Sequence, residues 1–168
     1  MGPVFTIGHS TRTLDELVAL LKEHGVRTLA DIRTAPGSRR MPWFAKAALA
    51  SELPADGIGY EHLPGLGGLR KPRADSINTG WRNEAFRGYA DHMATEEFER
   101  GVERLLALPG PVAAMCAEAV PWRCHRSLLG DYLVARGVPV VDIIGPGSAQ
   151  DHRMTPFARV IEGRVIYP

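Results

Sequence analysis

Short apolar runs alternate with amphipathic stretches along this chain, and that alternation limits its fold more than any other feature. Pro3 to Gly8 reads as a buried strand. Thr13-Leu-Asp-Glu16 follows as a capping box, opening a helix that runs to about Gly25. Thr28 to Ile32 reads as a second strand, Ala45 to Leu53 as a short helix and Gly59 to Leu63 as a third strand. Pro64 to Trp81 breaks the pattern, because its glycines, prolines and basic residues predict a long irregular connection of the kind that carries function. From Glu84 to Leu108, Phe86, Tyr89, Met93, Phe98, Val102, Leu105 and Leu106 recur at helical spacing, as one long or broken helix. Val112 to Cys116 is strand, Ser127 to Arg136 is helix closed by Gly137, and Val138 to Ile144 is strand. Ala158 to Tyr167 has the pattern of a hairpin turning at Glu162-Gly163.

Strands separated by helices predict parallel βαβ units with right-handed crossovers. The expected fold is therefore a three-layer α/β sandwich with a mainly parallel sheet and a terminal hairpin, in a single domain over 1–168. In such sheets ligands bind beyond the carboxyl ends of the strands. Five connections are expected at that rim: Gly8-His9-Ser10-Thr11, the segment Arg33 to Arg40 with Asp31 before it, Glu61-His62, the segment after Cys116, and Gly145 to Ser148.

Composition narrows the function classes. The 168 residues are 45% hydrophobic, enough for a substantial core, and the net charge of +1 gives no global field for nucleic acid or an anionic membrane. The N-terminus runs directly into a strand pattern without a leader-like segment, and no apolar run is long enough for a bilayer. Two cysteines do not make a secreted disulfide framework, so a reducing cytoplasm is expected. Lys22, Lys46 and Lys71 are the only lysines among 20 Lys and Arg residues. Arginine suits bidentate binding of oxyanions where several converge.

Both cysteines fall in Cys116-Ala-Glu-Ala-Val-Pro-Trp-Arg-Cys-His-Arg126. Cys116 ends a strand, Pro121 and Trp122 turn the chain, and Cys124, His125 and Arg126 stand at the start of the next helix. Unpaired amides there attract anions and lower a thiol's pKa. The bland alternative is that both cysteines are small buried hydrophobes. A phosphatase-like or sulfurtransferase-like loop fits loosely, since Arg123 lies one residue too far from Cys116 and the loop lacks glycine. The zinc-deaminase signature fails because its fragments belong to separate helices. A zinc site built from Cys116, Cys124 and a histidine such as His9 lacks any paired spacing motif. No metal or cofactor is implied.

Thr6-Ile-Gly-His-Ser10, Asp31-Ile-Arg33, Cys116-Ala-Glu118 and Cys124-His-Arg126 together resemble the bacterial and archaeal family called domain of unknown function 488. The resemblance extends to His152-Arg-Met-Thr-Pro-Phe-Ala-Arg159. It implies that Gly8, His9, Ser10, Asp31, Arg33, Cys116, Glu118, Cys124, His125 and Arg126 occupy the family's characteristic positions; it implies no particular reaction.

The leading expectation is an enzyme acting on a phosphate-bearing or otherwise anionic substrate. Cys116, Glu118, Cys124 and His125 are its candidate catalytic residues, and Gly8, His9, Ser10, Asp31, Arg33 and Arg126 its candidate binding residues, with an oxyanion at the helix start. The alternatives are a noncatalytic nucleotide- or nucleic-acid-binding module and a redox sensor joining Cys116 to Cys124. Each residue also has an ordinary reading. His9 suits a cap or a buried hydrogen-bond partner, Asp31 and Arg33 a structural ion pair, and Glu118 a group that fixes Arg126 or His125. Arg70, Lys71, Arg73 and Arg82 suit a solvated surface or, with Trp81, a lid or single-strand contact surface; Trp43 raises the same question. His24, His62, His92 and His152 have no partner identifiable from sequence, and the oligomeric state is not legible.

Overall fold

A computed structural model describes residues 2–37 and 39–168; Met1 and Ser38, the latter within the expected rim segment 33–40, lie outside the described residues. In chain order the main elements are β1 (Val4–Gly8), α1 (Leu14–Glu23), β2 (Thr28–Asp31), α2 (Lys46–Glu52) and β3 (Gly59–His62), then α3 (Glu84–His92) and α4 (Glu96–Ala107). They are followed by β4 (Val112–Cys116), α5 (Arg126–Ala135), β5 (Val140–Gly145), β6 (Ser148–Asp151), β7 (Arg159–Ile161) and β8 (Arg164–Ile166). The fold is mixed α/β. Six strands form one sheet in the order β3-β2-β4-β1-β5-β6, and β7-β8 form a separate hairpin. All neighbours in the large sheet are parallel except β5 and β6.

Local chemistry accounts for most boundaries. The Thr13 hydroxyl accepts from the Glu16 amide at 3.1 Å while the Glu16 carboxylate accepts from the Thr13 amide at 2.7 Å, the reciprocal pair that starts α1. The apolar stretch 84–108 is two helices. Thr95 adopts an extended backbone and its hydroxyl accepts from Phe98 N at 3.3 Å, so it caps a new helix whose first turn carries Glu96, Glu97 and Glu99. The terminal hairpin turns at Glu162-Gly163, both with positive φ, as its two-residue connection requires.

Gly145 to Ser148 does follow the carboxyl end of β5, which runs parallel to β1, but the strand beyond it was not expected. This segment is the turn of a hairpin, and β6 pairs back antiparallel to β5. Its four residues, Ser-Ala-Gln-Asp, are all exposed and present no apolar alternation, so the strand left no sequence signal.

Successive sheet residues point to opposite faces. Ile7, Leu29, Ala113 and Met115 pack against Leu17 and Leu21 of α1 and Leu49 of α2. Val4, Ala30, Ala114 and Cys116 pack against α3, α4 and α5 through Tyr89, Phe98, Leu105 and Leu128. β1 therefore leads into a helix on one face of the sheet, while its neighbour β4 leads into α5 on the other. Chains departing to opposite faces leave a crevice between the carboxyl ends of β1 and β4, the usual ligand position in such a sheet.

Candidate functional site

The β1–β4 ladder continues past both strands, with His9 N donating to Cys116 O and Ser10 N to Ala117 O, each at 2.9 Å. Gly8 is required there. A Cβ at that position would lie 1.4 Å from the Glu118 carbonyl oxygen, so only glycine lets the segment after Cys116 cross so close to β1. Ser10 then takes a left-handed backbone with φ 50° and turns the chain toward α1.

A cleft of about 470 Å³ opens at this point. Its wall includes His9, Arg33, Cys116, Glu118, Cys124 and His125 from the expected set, together with Arg123, Met41, Phe86, Gly68 and Leu69. Gly8, Ser10, Asp31 and Arg126 do not line it. They build its frame.

Asp31 is fully buried and accepts from Arg33 Nε at 2.8 Å and Nη2 at 2.7 Å, and from the Tyr60 hydroxyl at 2.5 Å. Arg33 Nη2 also donates to Phe44 O, and Nη1 lies 3.3 Å from His9 Nε2. Because a guanidinium only donates, His9 Nε2 must accept, and Nδ1 carries the proton toward Ser10 O at 2.8 Å. Burial, reinforced by Arg33, lowers the His9 pKa and keeps the ring neutral, consistent with that tautomer. The second Nη1–H of Arg33 has no protein acceptor among the described residues and is left for the cleft.

The two thiols are buried and not bonded to each other. The Cys116 thiol donates to Glu118 O at 3.6 Å. Burial pushes this thiol up, but the Cys124 thiol beside it and then the Arg126 charge outweigh burial and lower its pKa. For Cys124 the result is opposite: burial and the adjacent Cys116 hold it protonated. His125 donates from Nε2 to Ile32 O at 3.0 Å, which leaves Nδ1 as an acceptor 3.4 Å from Cys124 Sγ. Burial drops the His125 pKa to about 4, so the ring is neutral near pH 7. The single Cys124 proton thus lies between two acceptors, the Cys116 sulfur and His125 Nδ1.

Arg126 departs from its expected place. Its side chain is wholly buried beneath the cleft, with Nη1 donating to Thr6 Oγ1 at 2.9 Å and Nη2 to Glu118 O at 3.2 Å and Ala119 O at 2.9 Å. Nε is buried without a partner. The helix start is also more closed than expected, since the amides of Cys124, Ser127 and Leu128 already donate to Pro121 O, Cys124 O and His125 O. Glu118 contributes its carbonyl to the frame, while its side chain is exposed at the rim.

Three features had little or no sequence signal. The Gly67-Gly68 backbone presses against the site, since Cβ atoms would meet Thr34 Oγ1 at 2.6 Å and His125 Nδ1 at 3.1 Å. The paired glycines in the long loop were the available clue. Leu69 follows with φ 49° and is 82% exposed over the cleft, an unusual backbone for leucine. His152, without a nameable partner in the sequence, lies between two buried aspartates. Trp81 is packed edge-on against Phe86 and Phe157 rather than presented to a ligand, and Arg70 and Arg73 pair with Glu97 and Asp75. His62 Nε2 donates to Arg33 O at 2.7 Å, since a carbonyl only accepts. Trp43 is 37% exposed, with its indole N–H on Arg12 O at 3.0 Å. Among the described residues no group of three His, Cys, Asp or Glu side chains is placed to hold a metal ion, and no helix is long and apolar enough to cross a membrane.

Fold and site together define an α/β protein with a buried pair of thiols at the crossing point of its parallel sheet. The family described as domain of unknown function DUF488 matches residues 13–133, and the chain belongs to it. That span includes Asp31, Arg33 and the whole Cys116–Arg126 segment; it begins after Gly8-His9-Ser10 and ends before His152. No curated protein and no solved structure matches the chain.

Proposed function

We propose that this chain is a cytoplasmic thiol-dependent enzyme in which the Cys116 thiolate attacks an anionic, in the first instance phosphate-bearing, substrate held in the β1–β4 cleft, the new S–P bond replacing the bond from phosphorus to its leaving oxygen, which departs with a proton, and water then releasing the phosphate from sulfur. The observation that carries this reading is the environment of Cys116. Cys116 lines the cleft, shares the Glu118 carbonyl with Arg126, and has the Cys124 thiol and the Arg126 charge lowering its pKa against the upward push of burial. The thiolate is the reactive form of cysteine, and a perturbed group in a concave site marks a functional candidate.

The remaining roles follow from donor and acceptor chemistry. Cys124 retains its proton and hydrogen-bonds the Cys116 sulfur, and neutral His125 offers the next acceptor for a proton leaving that pair. The second Nη1–H of Arg33 and the exposed Arg123 supply positive donors for the anion. His9 holds Arg33 in register, and Asp31 fixes the same guanidinium in plane. Free thiols remain reduced in cytoplasm, which suits this chemistry.

Iodoacetamide alkylation followed by peptide mass mapping tests the reading. In the native chain Cys116 is expected to react with a pH midpoint below the ordinary thiol value of about 8.5, and inorganic phosphate is expected to slow it saturably. A Cys116 that reacts only after unfolding, or a rate indifferent to phosphate, overturns it.

One observation favours a second reading, thiol–disulfide exchange: a low-pKa Cys116 accepting a hydrogen bond from a protonated Cys124 is the arrangement of an attacking and a resolving thiol. Addition of an organic disulfide distinguishes the two. Exchange ends with a Cys116–Cys124 disulfide and two released thiols of the reagent, whereas the leading reading leaves Cys124 reduced.

A further inference from the structure

A line of buried polar groups runs under the cleft from the carboxyl-terminal segment to Arg126. His152 lies with Nδ1 2.8 Å from Asp142 Oδ2 and Nε2 2.9 Å from Asp131 Oδ1. Both partners are carboxylates, which only accept, so both ring nitrogens donate and His152 is an imidazolium. Its pKa is raised to about 9, because the two carboxylates outweigh burial. Asp142 also accepts from the Thr6 hydroxyl. Having given its proton to Asp142, Thr6 Oγ1 can only accept from Arg126 Nη1. Arg126 in turn carries the carbonyls of Glu118 and Ala119, the residues that bring the chain away from Cys116.

Every hydrogen-bond direction in this line is therefore fixed, and the charges alternate: Asp131 negative, His152 positive, Asp142 negative, Arg126 positive. Asp131 is held independently by the Tyr167 hydroxyl at 2.7 Å and the Thr155 amide at 3.0 Å. The fit is tight, for a Cβ on Gly130 would lie 2.8 Å from the imidazole. Asp131, His152, Asp142 and Thr6 do not line the cleft, and His152, Asp142 and Thr6 fall outside the family span.

We infer that His152 is a positioning residue for Cys116: acting through Asp142 and Thr6, it fixes the orientation and the counter-charge of Arg126, and so the thiolate that Arg126 supports. The inference rests on the thiolate reading above. Without a cation at position 152, two buried carboxylates would face the region and Arg126 would be drawn toward Asp142 and away from the Glu118 carbonyl that it shares with Cys116. The groups facing His152 are Asp131 from α5, Asp142 from β5 and, through Asp131, the Tyr167 hydroxyl. Those affecting Cys116 are Cys124 and Arg126.

The test uses the full chain and two reciprocal measurements. In His152→Gln, alkylation mapped to Cys116 is expected to shift its midpoint upward by about one pH unit, roughly tenfold slower reaction near pH 7. In Cys116→Ser, the His152 ring resonances are expected to titrate at lower pH than in the native chain, because linkage between two sites is reciprocal. The second arm needs no change in the buried line and decides the matter if His152→Gln does not fold. An unmoved Cys116 midpoint in folded His152→Gln, or an unmoved His152 titration in Cys116→Ser, overturns the role of His152. A native Cys116 that titrates like an ordinary thiol instead overturns the thiolate reading and this inference with it.

Discussion

Cys116 and Arg126 sit ten positions apart in one motif, and the sequence neither chooses between Cys116 and Cys124 as the reactive thiol nor places the Arg126 side chain. The helix-start argument favours a thiolate at Cys124, whereas burial and the neighbouring Cys116 hold Cys124 protonated, because the amides of that turn already have backbone acceptors. The direction of an arginine in the first turn of the following helix is set by which face of α5 meets the sheet, and no spacing rule gives that. Asp31 and Arg33 were legible as an ion pair; that His9 completes their network through a neutral ring was not, because it depends on a side-chain contact between residues 24 positions apart. Gly8 leaves no room for a side chain. Gly8→Ala pushes a methyl group into the Glu118 carbonyl, and overpacking of this kind costs about 1–3 kcal/mol. Urea denaturation should show that loss, and Cys116 alkylation should slow with it, since the displaced carbonyl is one that Arg126 holds.

The strands and helices were readable wherever an apolar period exposes them, as in β1, α1, β4 and α5, and unreadable in β6, where all four residues face water. The break between α3 and α4 shows the same rule from the other side. Apolar residues recur at helical spacing straight through it, and only the Thr95 hydroxyl and the acidic turn after it mark a new start. Thr95→Ala removes that cap and should cost about 1 kcal/mol by chemical denaturation. Because Thr95 also donates to His92 O at 2.6 Å, the variant should loosen the end of α3 as well, visible as faster amide exchange there than in the body of α4.

Across the whole molecule, two buried histidines of opposite character bound the pH range of stability. His152 has a folded pKa of about 9, above its unfolded value of about 6.5, so its contribution is complete below pH 6.5 and is lost as pH rises through 9. The difference corresponds to no more than about 3 kcal/mol. His125, lowered to about 4, works in reverse: its contribution is present above pH 6.5 and is lost as pH falls toward 4. Urea midpoints measured from pH 4 to 10 should therefore peak near pH 6.5, and His152→Gln should flatten the alkaline side alone. The ladder that ties His9 and Ser10 to Cys116 and Ala117 has one more consequence, and it concerns time. Those partners are separated by more than one hundred residues of chain, so closing them carries the loop entropy of well over half the polypeptide. Helices can form locally long before that. On refolding from urea, far-ultraviolet circular dichroism should recover first, and the pH-dependent reactivity of Cys116 should return only when the first and fourth strands meet.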